Sequence, residues 1–110
     1  MVDEKFNKKL DEFSAEIKEM FSQTENIVFN VAPDAVAKMW AGLPSYYMGE
    51  RFVRIILFKD HINVEASALI DFKAQLADYA FTPKNMLQIF VGQTIPTDVL
   101  TSAFKETLAK

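Results

Sequence analysis

The stretch from Phe52 to Glu65, which with its neighbours reads RFVRIILFKDHINVEA, holds the densest apolar run in the chain. An apolar run of strand length, a polar break at Lys59-Asp60 and a second, alternating run together predict a β-hairpin. In its first arm Val53, Ile55 and Leu57 fall on one side. Phe52, Ile56 and Phe58 fall on the other, interrupted by Arg54. A strand apolar on both sides belongs inside a sheet. In the second arm Ile62 and Val64 point one way and His61, Asn63 and Glu65 the other, so one face of that strand is expected to be partly wet. The rest of the chain must supply cover.

Before the hairpin, Phe6, Leu10, Phe13, Ile17, Met20 and Phe21 recur at spacings of three and four with charged residues between them. That predicts an amphipathic helix, with Asp3 and Glu4 suited to its positive end. The phase can be carried on through Thr24, Ile27 or Val28, and Val31; the alternative is a break at Ser22 to Asn26, which is weak helix material. Ala32-Pro33 ends the helix, because proline keeps its predecessor out of the α region. Val36 to Ala41 reads as a short strand, Ala41 to Ser45 as a turn or kink, and Tyr46 to Met48 as extended. Gly49-Glu50 then turns the chain into the hairpin.

After the hairpin, Ser67 is positioned to cap a helix carrying Leu69, Phe72, Leu76 and Tyr79. Thr82 to Asn85 reads as a loop and Met86 to Val91 as a final strand. Pro96 stands at the first helical position of a helix that buries Val99, Leu100, Ala103, Phe104 and Leu108. The order α, a run of β, α, β, α predicts one α+β domain over residues 1–110. It has a mainly antiparallel sheet of about five strands and three helices.

Composition narrows the function. The chain has no cysteine, which removes disulfides, thiolate metal sites and cysteine nucleophiles. Its net charge of -3 is unfavourable for binding a phosphate backbone, so no nucleic-acid partner is expected. Met1 to Lys5 lacks the pattern of a secretory leader, and no apolar stretch nears the ~18 residues of a membrane span, so no membrane partner is expected. No G-x-S-x-G elbow, Walker loop, G-x-G-x-x-G or H-E-x-x-H occurs, and with 3 glycines a phosphate cradle is excluded. The expectation is a binding or carrier module without catalysis.

Two groups of residues invite a site. Asp60, His61 and Glu65 are near in sequence, and imidazole with carboxylates suits iron or another divalent ion. The alternative is a Lys59-Asp60 turn with His61 a solvated strand-end residue. The acidic residues of the first helix alternate with lysines at i±3/4 and read as a self-paired, solvated surface. Trp40, Tyr46 and Tyr47, beside the Gly42–Pro44 kink, offer apolar bodies with polar tips for a small ligand or protein partner.

Six short motifs recur in order along the chain: Ala32-Pro33, Gly42-Leu43-Pro44-Ser45-Tyr46, Lys59-Asp60-His61-Ile62, Phe72-Lys73, Lys84-Asn85 and Ile95-Pro96. In these the chain resembles the YdhG-like family, which includes frataxin-like intracellular iron chaperones. It departs from that pattern at Asn63 and Asn85, where glycine is usual, and at Ile89-Phe90 in place of Phe-Pro. The resemblance implies a sheet with the N- and C-terminal helices packed on it, a cytoplasmic location and iron binding through carboxylates with His61. It makes Lys59-Asp60-His61-Ile62 a signature of the fold and not an active site; Lys59 and His61, with Gly42 and Pro44, are candidate binding residues beside the aromatic group. The ligand and the oligomeric state are left open.

Overall fold

A computed structural model describes residues 4–109. The first helical stretch is two helices, α1 (Glu4–Leu10) and α2 (Ala15–Val31). The break falls at Asp11 to Ser14, upstream of the weak stretch Ser22–Asn26. Ser14 takes an extended backbone and its hydroxyl accepts the Ile17 N–H at 3.2 Å, which caps and so starts α2. Through Ser22–Asn26 α2 runs on, as the continuing phase requires, because Thr24, Ile27 and Val28 are buried; the Thr24 hydroxyl, out of water, donates to the Met20 carbonyl at 2.8 Å. Glu4 occupies the first turn of α1 as expected. Asp3 lies outside the described residues.

Strands β1 (Val36–Trp40), β2 (Leu43–Met48), β3 (Arg51–Leu57) and β4 (His61–Ala66) form an antiparallel meander. Ala41 and Gly42 both sit at positive φ, 50° and 79°, which is the geometry of a two-residue type I′ hairpin turn. A further antiparallel pair, β5 (Ala80–Phe81) and β6 (Leu87–Phe90), completes the order β1-β2-β3-β4-β6-β5. Among the described residues the sheet therefore has six strands where about five were expected. The additional one is β5, too short to leave a periodic signal.

Among the described residues four helical segments replace the expected three. The helix expected to start under a Ser67 cap is a 3-10 helix, Ser67–Leu76, without a side-chain cap. Last comes α3 (Thr97–Leu108), with Pro96 one residue ahead of its expected place, at the N-cap.

The hairpin of β3 and β4 is internal, as its two-sided apolar pattern requires. Val53, Ile55, Ile62 and Val64 are fully buried beneath α2 and α3, together with Ile17, Leu69 and Phe104. Those helices cover one side of the sheet. Among the described residues the other side carries no helix. No helix of the described residues is long and apolar enough to cross a membrane.

Candidate functional site

Strand registers order the uncovered face into rows. One row is Val36, Tyr47 and Phe52; the next is Lys38, Ser45, Arg54 and Glu65. Arg54 is the hub. Its side chain is 7% exposed, although no helix lies over it. Nε donates to Ser45 Oγ at 2.7 Å, Nη1 to Glu65 Oε1 at 3.1 Å and Nη2 to the Tyr47 hydroxyl at 3.2 Å. The guanidinium also lies 4.2 Å from the centres of both the Trp40 and Phe52 rings. Such stacking contributes about 0.5–2 kcal/mol per ring, more as water is excluded. A cation is thus held against two aromatic rings and paired with a carboxylate within the same face.

A second stack crosses the other end of the face. His61 lies between Phe58, at 4.4 Å and 6°, and Phe90, at 4.7 Å and 26°. Asp60 Oδ1 accepts from His61 Nδ1 at 2.7 Å, leaving Nε2 as the acceptor of the neutral ring. That hydrogen bond is the main cause holding the Asp60 carboxyl below its ordinary range. Between the stacks, Asn63 is buried, with no partner for its Oδ1 among the described residues. Gln88 stands opposite it on β6.

The sequence-predicted aromatic group does not converge. Trp40, 54% exposed, and Tyr47 lie on the uncovered face with Arg54. Tyr46 points to the helix side, fully buried, with its hydroxyl donating to Glu25 Oε2 of α2 at 2.6 Å. Adjacent strand residues face opposite ways, so Tyr46 is core and Tyr47 surface. Gly42 forms the β1–β2 turn and Pro44 lies buried in β2; both border a narrow recess beneath Phe6 and Lys9 of α1. Lys59 is exposed in the β3–β4 turn.

Asp60 and His61 are in contact. Glu65 is four residues further along β4, roughly 13 Å away at strand rise, and is held by Arg54. Among the described residues no group of three or more His, Cys, Asp or Glu side chains could hold a metal ion. Sequence reasoning missed Arg54 as a centre. The available signal was a charged residue inside an otherwise apolar strand, since arginine is almost never buried unpaired.

Tyr46 permits a pH prediction. Burial first, then the Glu25 hydrogen bond and charge, push its phenol far above the ordinary 10.0. The unfolded phenol ionises near that value and the folded one does not. Above about pH 10 the folded state therefore binds more protons, and stability falls as pH rises; below it the contribution is fully present. Tyr46→Phe is expected to cost about 1–2 kcal/mol at pH 7 and to lose less stability than wild type between pH ~9 and ~11. Urea titrations at the two pH values check this, and parallel declines would refute it.

A scan of protein-family models, a search of curated proteins and a search of solved structures each return no match to this chain.

Proposed function

We propose that the protein is a non-enzymatic interaction module whose uncovered sheet face is the docking surface, and that its occupant is a second copy of the same chain. The observation that carries the reading is the face itself. Of the exposed large hydrophobics, Val36, Trp40, Phe58 and Phe90 all belong to it. Exposed apolar and aromatic side chains at both ends of a face left without helix cover support an interaction site there.

Charge selects the occupant. Arg54 is compensated by Glu65 within the face, and among the strand residues of the face Lys38 is the cation left without a carboxylate. A face so nearly neutral offers no charge pattern to choose a strongly charged partner, and it matches another copy of itself. Twofold pairing is the commonest form of such self-matching. Six strands of this length present on the order of 500 Å² per copy, about 1,000 Å² in total, which reaches the size of a specific though modest interface. Two sheets packed face to face need no new architecture.

Iron binding, which the family resemblance implies, has weaker support. Asp60 and His61 offer two neighbouring donors, while Glu65 is committed elsewhere. Light scattering over a concentration series tests the docking reading. The mass is expected to rise from 12.5 kDa towards twice that value, with a midpoint in roughly the micromolar range. A constant 12.5 kDa up to millimolar protein would sink the reading.

A further inference from the structure

At one end of the sheet lies a cleft of about 410 Å³, within the range of small-molecule sites. It is built where the β2–β3 turn, the junction of β4 with the 3-10 helix, the turn before β6 and the end of α3 meet. Its wall has charges of both signs: Glu50 and Glu65 against Arg51 and Lys84. Glu65 is held through Oε1 by Arg54, and among the described residues its Oε2 takes no hydrogen bond. An oriented carboxylate with one free oxygen suits a donor cation. The rest of the wall includes Phe52 and Ile70, the latter 52% exposed with its apolar surface uncovered. Asn85, on the same wall, holds a left-handed backbone at φ 65°, which asparagine adopts readily in a turn.

We infer that this cleft binds a small zwitterion of amino-acid size with a branched apolar side chain. The ligand's carboxylate is met by Arg51 and Lys84. Its ammonium is met by Glu65 Oε2 and Glu50, and its side chain lies on Ile70 and Phe52. A purely anionic ligand would meet the two glutamates and a purely cationic one the two bases, so each loses part of the match. Arg54 gives the site its precision: the guanidinium that lies against the Trp40 and Phe52 rings also holds the Glu65 carboxylate. Phe52 and Glu65 border the sheet face proposed to pair, while Lys84 and Ile70 lie off it, so ligand binding is read on protein that does not associate as well as on wild type.

The test is a titration of the ¹⁵N-labelled protein with L-leucine, repeated on the Val36→Glu variant, which charges an exposed position of the sheet face away from Arg54 and Glu65, so that any change in association is separated from ligand binding. 4-Methylpentanoate, lacking the amine, and 3-methylbutylamine, lacking the carboxylate, are the comparison probes. Saturable amide shifts are expected at Glu65 to Ser67 and Lys84-Asn85, with each comparison probe at least about tenfold weaker. Lys84→Glu, a change at an exposed position, is expected to weaken L-leucine at least about tenfold, while Lys105→Ala on α3 leaves it unchanged. Absence of saturation at about 50 mM L-leucine, or equal binding of either comparison probe, overturns the inference.

Discussion

Arg54→Ala is expected to destabilise the fold by about 2–3 kcal/mol, lowering Tm by roughly 10–20 °C in a domain of this size. The side chain is 7% exposed and anchors three strands at once, through Ser45 and Tyr47 on β2 and Glu65 on β4. Its removal strands the carboxylate, leaves two hydroxyls without their donor and opens a gap between the Trp40 and Phe52 rings. Glu65 is 34% exposed and regains some hydration, so the effect falls below that of a fully buried pair. Arg54→Lys keeps the charge but loses the fork and should recover less than half of the loss. Replacing both partners, Arg54→Met with Glu65→Leu, should recover more, because no charge is left unpaired. Thermal and urea unfolding of the three variants decide the matter. A loss under about 1 kcal/mol in Arg54→Ala would show that the guanidinium rests on the face without supporting it.

Trp40→Glu is expected to abolish self-association while leaving the protein folded. Trp40 is 54% exposed, so its removal costs the chain little burial, and the new carboxylate can still reach Arg54. In a twofold interface the substitution occurs on both copies and buries two carboxylates against apolar surface. A penalty near 3 kcal/mol corresponds to at least about a hundredfold weaker association. Trp40 is the single tryptophan, so its emission reports the same event. In wild type the emission should shift to the blue as concentration rises, and light scattering of Trp40→Glu should give monomer throughout. Undiminished association of this variant would move the interface elsewhere on the molecule.

The hairpin was legible because its two arms carry strand periodicity in opposite forms: β3 apolar on both sides, β4 alternating. The covered side followed directly, with Val53, Ile55, Ile62 and Val64 all fully buried. The break between α1 and α2 was not legible, because the spacing from Phe6 to Met20 continues across Ser14 without a change of phase. At Ser22 to Asn26 phase and propensity disagree, and the phase prevails: burial of Ile27 and Val28 outweighs a few tenths of a kcal/mol per residue. Tyr46 and Tyr47 were grouped by adjacency, although the two-residue strand period sends them to opposite sides of the sheet. Arg54 was visible as an anomaly, yet its partners were not. Ser45, Tyr47 and Glu65 are brought to it by the registers of three strands, which no local pattern encodes. The charged cleft draws its walls from four separate parts of the chain and left no local trace.

Whether the uncovered faces pair is decided by intermolecular NOEs between ¹³C-labelled and unlabelled copies. Contacts are expected to link the aromatic protons of Trp40, Phe52, Phe58 and Phe90 on one copy with the uncovered face of the other, and none to involve α2 or α3. Contacts through the helices, or none at millimolar protein, would contradict that pairing.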